Sequence, residues 1–279
     1  MLDVLRKYWR RQRLDVALTM LGLGIVLLVV VMAVAAPLLA PYNPVVSVDD
    51  SLLPPSPKHP MGTDSLGRDV YSRVLYGARI VLIVVLASTS VSLLVGSTLG
   101  LISGYFGGAV DRVLSVVMDS IYAFPGLILA IAVAAMLGPG VLNTVISISV
   151  VYIPTYFRMV RGHVLSVKGR LFVEAAKALG ASDWTVMTRY VLPNVLVTIP
   201  VVFSMNVADA VLTEAALSFL GLGVPAPTPD WGFDLKNGQR NLLSGYWWPA
   251  LWPGFFITLL ALGFSLVGEG LNELVGGEA

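Results

Sequence analysis

The sequence predicts an all-α protein that crosses a membrane six times, and three observations support this fold class. The 279-residue chain is 56% hydrophobic and only 13% charged, which is more apolar surface than a soluble domain of this length can bury. The charged residues cluster between long neutral tracts. Six of those tracts have the roughly 20 apolar residues that a helix needs to cross a bilayer.

The predicted spans begin with an uncharged run of 25 residues, Val16 to Ala40. This run is too long for the apolar region of a signal peptide, so we expect a retained anchor helix. The tract from Ser120 to Phe157 carries no charge for 38 residues, and the turn signal Leu137-Gly138-Pro139-Gly140 divides it into a helical hairpin. The spans are predicted near residues 16–40, 80–104, 113–136, 141–161, 195–217 and 249–269.

The distribution of Lys and Arg predicts the orientation, because positive residues are more frequent in cytoplasmic loops. With a cytoplasmic N-terminus, the external side carries only Lys58, Arg68, Arg73, Lys236 and Arg240, with Arg79 at a boundary. The cytoplasmic side then carries Arg6, Lys7, Arg10, Arg11, Arg13, Arg112, Arg158, Arg161, Lys168, Arg170, Lys177 and Arg189. We therefore expect both termini and residues 162–194 in the cytoplasm.

Two external segments remain, near residues 41–76 and 218–247. The second segment and the residues that follow it are rich in tryptophan, as is typical of a membrane interface. The tryptophans of this predicted interfacial belt are Trp231, Trp247, Trp248 and Trp252.

Composition also excludes several classes of function. The absence of cysteine rules out disulfides and thiol chemistry, and a net charge of +1 in scattered clusters argues against a nucleic-acid partner. No phosphate-binding loop of the type G-x-x-x-x-G-K-[ST] occurs, so this chain does not cradle ATP phosphates itself.

An enzymatic or metal site is also not expected. His59 and His163 are predicted to lie in loops, without a second histidine or a carboxylate at metal-ligand spacing. Gly100-Leu101-Ile102-Ser103-Gly104 is one residue too long for a rhomboid-like serine motif. The chain is therefore predicted to be neither an enzyme nor a metal-binding protein.

Residues 171–193, named here the 171–193 hairpin, predict two short amphipathic helices joined by a corner. Glu174 lies in the first turn, where a negative charge complements the helix dipole, and Gly180 fits the left-handed position that ends a helix. Ser182 or Asp183 can cap the second helix, which we expect Pro193 to stop. The apolar face of such a hairpin fits either a groove on a partner or the lipid interface.

Polar residues inside the predicted spans are costly and usually face the interior of a bundle. On the fifth span, Asn206, Asp209 and Thr213 lie on one helical face and Glu214 lies about 80° away. These four residues could line a translocation path, or Asp209 and Glu214 could pair with neighbouring helices. For Asp119 we expect a charge pair at a helix end, with Arg112 or a nearby basic loop.

Small residues have two predicted uses. Gly96, Gly100 and Gly104 repeat every four positions and predict close packing of the second span against another helix. Turn-forming glycines and capping aspartates occur together before the second span. These residues either form a docking surface for an extracytoplasmic binding protein or cap the turns of their own loop and so orient it. The residues with these two alternatives are Gly62, Thr63, Asp64, Gly67, Arg68 and Asp69.

The spacing of the 171–193 hairpin resembles a known family motif. Glu174-Ala175-Ala176, followed by Gly180 and Leu192-Pro193, is similar to the EAA motif of permease subunits of ATP-binding cassette (ABC) importers. "HPMGTDSLGRD" at 59–69, "EAALSFLGLGVP" at 214–225 and "WWPALWPGFFITLLALGFSLVGEGL" at 247–271 resemble the C-type subunit of dipeptide and oligopeptide permeases.

The resemblance implies a type I ABC importer permease with an anchor helix and external loop in residues 1–79 and a transmembrane domain in residues 80–271. It implies that the hairpin is a coupling helix docking on an ATPase. The contact residues would be Glu174, Ala175, Ala176, Leu179, Gly180, Ala181, Ser182 and Asp183.

The resemblance also implies the partners of the chain. They are a second homologous permease, two ATPase subunits or domains that bind ATP and Mg, an extracytoplasmic binding protein, and the lipid of the cytoplasmic membrane. The substrate class implied is dipeptides or oligopeptides, although such permeases also serve nickel, glutathione and oligosaccharides. From the residues alone, a secondary transporter that uses Asp209 and Glu214 for ion or proton coupling is the alternative.

Overall fold

The computed structural model is a bundle of helices, with no strand among residues 2–276. It describes the backbone of residues 2–276 and the side chains of residues 16–273, so the predicted positive cluster from Arg6 to Arg13 lies outside the described side chains. The helices are α1 (Leu2–Leu39), α2 (Val70–Phe106), α3 (Gly108–Tyr122), α4 (Gly126–Leu137), α5 (Val141–Lys168), α6 (Leu171–Ala178), α7 (Asp183–Thr185), α8 (Leu192–Leu196), α9 (Ile199–Leu220), α10 (Trp231–Gln239) and α11 (Trp248–Gly276).

Within the described part of the chain, five helices are long and apolar enough to cross a membrane, and their bounds are Val16–Leu39, Val70–Phe106, Val141–Lys168, Ile199–Leu220 and Trp248–Glu273. The second of these begins ten residues before the prediction. Its 37 residues make a rod of about 55 Å, longer than the roughly 30 Å hydrocarbon layer. The predicted domain boundary between residues 79 and 80 falls inside this helix.

The third predicted span is not one continuous helix. It divides into α3 and α4, which meet at 90°, the geometry of either a broken span or a re-entrant loop. Pro125 explains the break, because it lacks an N–H group and disfavours helical backbone at Phe124. The predicted turn before α5 is confirmed, since Gly138 has a positive φ of 80°.

Helices α2 and α5 pack closely along the predicted glycine ridge. A Cβ atom added to Gly96 would lie 2.5 Å from the Ile153 carbonyl oxygen, and one added to Gly100 would lie 2.6 Å from that of Phe157. At Gly104 the nearest atom would be the Val164 Cβ, at 2.9 Å. The ridge therefore serves packing, as predicted.

Replacing Gly100 with leucine is expected to lower the free energy of unfolding by about 3 kcal/mol, because the side chain must push the α5 backbone away. Thermal unfolding of the protein in detergent measures this loss. Gly162→Leu is the matched control, since an added Cβ at this α5 position meets nothing within 4 Å. Equal melting temperatures for the two variants would contradict the packing role of the ridge.

The loop before α2 packs with α10 at one end of the bundle. Arg73 is 2% exposed, and its guanidinium donates to both carboxylate oxygens of Asp234, at 2.6 to 3.1 Å. It also donates to the carbonyl oxygen of Pro44 at 2.7 Å. Burial raises the pKa of Asp234, and the charge of Arg73 opposes that shift. This ion pair joins three segments that are distant in the sequence.

Two of the predicted interfacial tryptophans belong to the core instead. Trp231 is fully buried and its indole N–H donates to the Val74 carbonyl at 2.9 Å, while Trp248 donates to the Thr63 carbonyl at 3.0 Å. Trp247 is 46% exposed, as an interfacial residue should be. The prediction was wrong for Trp231 and Trp248 because composition does not reveal that α10 folds back onto the bundle.

Candidate functional site

The 171–193 hairpin has the predicted corner. The N–H of Ala181 donates to the Ala176 carbonyl at 3.1 Å and that of Gly180 to Lys177 at 2.9 Å, which together form a Schellman motif. Gly180 has φ +85°, so the predicted left-handed conformation is confirmed. Ser182 caps α7 by accepting from the Thr185 N–H at 3.3 Å.

Pro193 does not stop the second helix, contrary to the prediction. A π-helical turn, Val186–Val191, precedes it, and α8 then begins at Leu192. Because proline is tolerated in the first turn of a helix, where its missing N–H has no partner, Pro193 fits at the start of α8. The actual break comes between Leu196 and Ile199.

The hairpin buries one apolar face on the bundle and leaves a second one open. Val173, Ala176 and Met187 pack with residues from α2 and α5 in a common apolar cluster. Three large apolar side chains point away from that cluster: Leu171 is 82% exposed, Leu179 89% and Trp184 70%. Glu174 and Ala175 are also exposed, so the EAA motif is only partly used for packing.

Tyr105 fixes the hairpin to the end of α2. Its hydroxyl donates to the Asp183 carboxylate at 2.6 Å, and the Lys168 ammonium donates to its backbone carbonyl. Lys177 lies 5.0 Å from the centre of the Tyr105 ring. Asp183 therefore has a structural role besides the partner contact that the sequence suggested, and Tyr105 was missed because it precedes the motif by about 70 positions.

The four polar residues of α9, named here the polar stripe, lie in three different environments. They are Asn206, Asp209, Thr213 and Glu214. Asp209 is exposed, and its carboxylate accepts a hydrogen bond from the Tyr152 hydroxyl at 2.9 Å. The same hydroxyl lies 3.1 Å from the Thr213 hydroxyl. Asn206 is buried at 8% exposure and its amide nitrogen has no partner among the described residues. Tyr152, on α5, was missed because no pattern in the sequence places it beside α9.

Asp209 opens on a cleft at the break between α3 and α4. This cleft, named here the Asp209 cleft, has a volume of about 470 Å³. The cleft is lined by residues at the kink around Pro125 and by polar groups of α5 and α9. These lining residues include Tyr122, Pro125, Tyr152, Thr155 and Asp209. Asp209 and Thr213 also line a neighbouring cleft of about 280 Å³. The break between α3 and α4 thus creates the open space beside the polar stripe.

Glu214 lies outside these clefts. It is fully buried and its carboxyl accepts from the Ser218 hydroxyl at 3.0 Å, at the contact between α9 and α10. This burial favours the alternative of pairing within the fold, and the path role of Glu214 stays a prediction. The 80° offset from Asp209 on the helix is the physical reason for the burial.

Asp119 forms the predicted charge pair at a helix end, but its partner is Arg158 of α5 rather than Arg112 or a loop residue. Its carboxylate accepts from Arg158 of α5 at 2.7 Å, and the Arg158 guanidinium also lies 4.0 Å from the centre of the Tyr122 ring. Both partners of the ion pair are substantially exposed, so its contribution to stability is small.

The candidate docking residues of the loop before α2 are all buried. Asp64 accepts from the Arg68 backbone N–H at 3.0 Å and from its guanidinium at 2.7 Å. Asp69 caps α2 through the Ser72 N–H at 2.8 Å. Self-capping therefore accounts for the conformation of the loop, while the docking role stays a prediction. The buried set is Gly62, Thr63, Asp64, Gly67, Arg68 and Asp69, while only Ser65 and Leu66 are exposed at this turn.

The prediction that both histidines lie in loops is confirmed for His59 and wrong for His163, which lies inside α5. His59 is 1% exposed, with its Nδ1 2.8 Å from Asp69 and its Nε2 3.4 Å from Asp49. A hydrogen bond from Lys58 lowers the pKa of Asp49 to about 2. Among the described residues, no group of three or more candidate ligands could hold a metal ion.

A bundle of apolar helices with a polar cleft along one side and a partly apolar hairpin at one end defines a membrane permease. Residues 96–276 match the family described as binding-protein-dependent transport system inner membrane component. Residues 7–55 match the N-terminal transmembrane domain of oligopeptide transport permease C. The chain belongs to the first of these families, and it is a multi-pass, type I permease subunit of an ABC importer.

Similar proteins cover nearly the whole chain. The chain is 40% identical to a glutathione transport system permease protein of Pectobacterium atrosepticum, over 96% of this chain and 89% of the relative. It is 40% identical to a dipeptide transport system permease protein of Alkalihalophilus pseudofirmus, over 92% and 84%. It is 38% identical to a probable D,D-dipeptide transport system permease protein of Escherichia coli K12, over 94% and 88%. The alternative of a secondary transporter finds no support in these relatives.

Proposed function

We propose that this chain forms half of the translocation path for short peptides, including dipeptides and glutathione-like peptides. A second, homologous permease supplies the other half, and an extracytoplasmic binding protein delivers the substrate. The observation that carries this proposal is the Asp209 cleft, which places an exposed carboxylate beside the break between α3 and α4. The relatives named for dipeptide and glutathione transport support the substrate class.

The Asp209 carboxylate is suited to the amino end of a peptide. The Tyr152 hydroxyl orients one of its oxygens, and the rest of the carboxylate faces the open cleft. A carboxylate held in place by a neighbouring hydroxyl can accept a charge-assisted hydrogen bond from an ammonium group that enters the cleft. The neutral lining of the cleft does not discriminate side chains, so recognition of the substrate rests mainly with the binding protein.

The 171–193 hairpin couples this path to two separate ATPase subunits, which bind ATP and Mg. Its exposed apolar residues, Leu171, Leu179 and Trp184, need a groove on such a partner. When the ATPase subunits close on ATP, they bring the hairpins of the two permeases together. Because each hairpin is fixed to α2 through Tyr105, this movement rotates the bundles between inward and outward access.

The orientation of the chain in the membrane follows from the role of the 171–193 hairpin as the docking site of the ATPase. The hairpin end faces the cytoplasm, where the ATPase subunits lie, and the end formed by α10 and the loop before α2 faces outward. Both termini are cytoplasmic, in agreement with the excess of Lys and Arg in the segments of that side. The chain resides in the cytoplasmic membrane.

Replacing Asp209 with asparagine tests the path. Uptake of a radiolabelled dipeptide by cells that depend on this transporter is expected to fall about tenfold, because a charged contact of about 1.4 kcal/mol is lost. Tyr152→Phe is the matched control: it removes the hydrogen bond to Asp209 and keeps the carboxylate, so its effect should be smaller. Unchanged uptake by Asp209→Asn would contradict the proposed path.

A further inference from the structure

Two buried carboxyl groups meet where α10 packs on α9. Glu214 of α9 and Asp230, which caps α10, are each 0% exposed. Asp230 accepts from the Phe233 N–H at 2.8 Å and Glu214 accepts from Ser218, yet each carboxyl keeps one oxygen without a donor. Gly232 packs directly on Ala215 and Ser218, which places the start of α10, where Asp230 lies, against the turn of α9 that carries Glu214. The charge of each carboxyl group therefore acts on the other. Two carboxylates cannot hydrogen-bond, because neither oxygen carries a proton.

The start of α10 is closely packed and buried. A Cβ atom added to Gly232, two residues after Asp230, would collide with the Ala215 carbonyl of α9. Trp231, the residue after Asp230, is fully buried, and its indole N–H donates to the Val74 carbonyl. Two ionised carboxylates in such a place would repel each other and would lose their hydration, which is strongly unfavourable.

The surrounding charges decide where the negative charge resides. From α2, Arg73 acts on Asp230 and forms the ion pair with Asp234 of α10. From the loop before α2, Arg68 is paired with Asp64. These two guanidinium groups are thus already matched by other carboxylates, while the ammonium group of Lys236, also on α10, lies beside Gly221 at the end of α9. We therefore expect only one member of the pair to be ionised. Arg73 acts on Asp230, so the proton belongs on Glu214.

We propose that Glu214 and Asp230 share one proton, and that this proton holds α10 on the transmembrane bundle. Loss of the proton places two negative charges in contact and releases α10 from α9. The outward end of the bundle therefore contains a pH-sensitive conformational switch that is independent of the Asp209 cleft.

The direction of the pH effect follows from the burial. Both carboxyl groups are buried, so ionising the second one beside the first is unfavourable; the same desolvation raises the pKa of Asp230 above its ordinary value of 3.8. The docked state therefore holds a proton that the released state gives up, so docking weakens as the pH rises. Over the pH range where the shared proton titrates, the docking equilibrium shifts about tenfold per pH unit, because one proton is released.

Infrared spectroscopy of the purified transporter tests the shared proton. At neutral pH, the difference spectrum between wild type and Glu214→Gln should show the C=O stretch of one neutral carboxylic acid, shifted in heavy water. Asp50→Asn, which removes an exposed carboxylate at the same end of the molecule, should leave that band in place. Identical spectra for wild type and Glu214→Gln in this region would overturn the proposal.

Cysteine labelling tests the release of α10. Since the chain has no native cysteine, Leu235→Cys places a single thiol on α10, at a partly buried position near Gly254 of α11. Between about pH 6 and about pH 9, the rate of its reaction with a membrane-impermeant maleimide should rise more steeply than thiol ionisation alone allows. Where the pair titrates, the release of α10 should add a further factor of about ten per pH unit. The same thiol in a Glu214→Gln background measures the pH dependence of the thiol reaction alone. In that variant the glutamine amide, as the replacement for the protonated carboxyl, donates to Asp230 at every pH.

Two outcomes separate the switch from a merely structural pair. If Leu235→Cys alone and its combination with Glu214→Gln have the same pH profile, α10 is not held by a proton. If Leu235→Cys combined with Asp50→Asn loses the steep pH profile, as Leu235→Cys combined with Glu214→Gln does, the pH effect is caused by general surface charge. A steep profile retained by Asp50→Asn and lost in Glu214→Gln supports the proposal.

Discussion

Replacing Leu179 with aspartate is expected to reduce ATP-driven uptake about a hundredfold, a loss of roughly 2.7 kcal/mol in the docking of the hairpin. Leu179 is 89% exposed at the corner of the 171–193 hairpin, where it contacts nothing that the fold requires. A carboxylate at this position would have to lose its hydration to enter an apolar groove. The variant should therefore fold and insert normally but bind the ATPase poorly.

Affinity purification of the tagged chain from its own membrane measures this binding directly. The ATPase subunits should co-purify with the wild type and be lost from Leu179→Asp, while the second permease is retained by both. Leu243→Asp is the matched control, because Leu243 is fully exposed at the opposite end of the bundle. ATPase retained by Leu179→Asp, or lost equally from the control, would rule out docking at this corner.

Replacing Arg73 with methionine is expected to lower the free energy of unfolding by about 3 to 5 kcal/mol. The loss comes mainly from Asp234, which would keep a negative charge in a nearly dry place without its partner. Arg73→Lys should recover only part of the stability, since an ammonium group cannot contact both Asp234 oxygens and the Pro44 carbonyl in the planar geometry of a guanidinium.

Thermal unfolding in detergent compares these variants with Arg240→Met, which removes an exposed arginine just after α10. The control should unfold within a few degrees of the wild type. If Arg73→Met were as stable as Arg240→Met, the ion pair would not be what joins α10, the loop and α2. If Arg73→Met is destabilised, the double variant of Arg73→Met and Asp234→Leu tests the cause. Stability should return in the double variant only if the defect came from the unpaired buried charge of Asp234 rather than from lost packing.

The apolar tracts predicted most of the bundle correctly, because a helix in a bilayer satisfies its own backbone hydrogen bonds whatever its neighbours are. The glycine ridge of α2 and the left-handed corner at Gly180 were also predictable, since both follow from the missing side chain of glycine. The break at Pro125 was missed because hydropathy does not register backbone direction. A proline in the middle of an apolar tract was the signal that could have revealed it.

The candidate site was less predictable than the bundle. Asp209 and Thr213 were chosen from a helical face, and they do line a cleft, but the cleft exists only because α3 and α4 bend away. The loop residues from Gly62 to Asp69 were ambiguous, because the same glycines and aspartates suit a docking surface and a self-capped turn. Only their burial favours the second.

The sequence by itself determined the membrane spans, the amphipathic hairpin with its corner and the absence of a phosphate-binding loop, because each depends on residues that are neighbours along the chain. Tertiary structure alone decided that Tyr152 meets Asp209, that Arg73 meets Asp234 across some 160 residues and that Glu214 is buried at the contact between α9 and α10. The physical reason is that a charge in a dry interior is stable only beside its partner, and partners distant in sequence are brought together by packing rather than by local pattern.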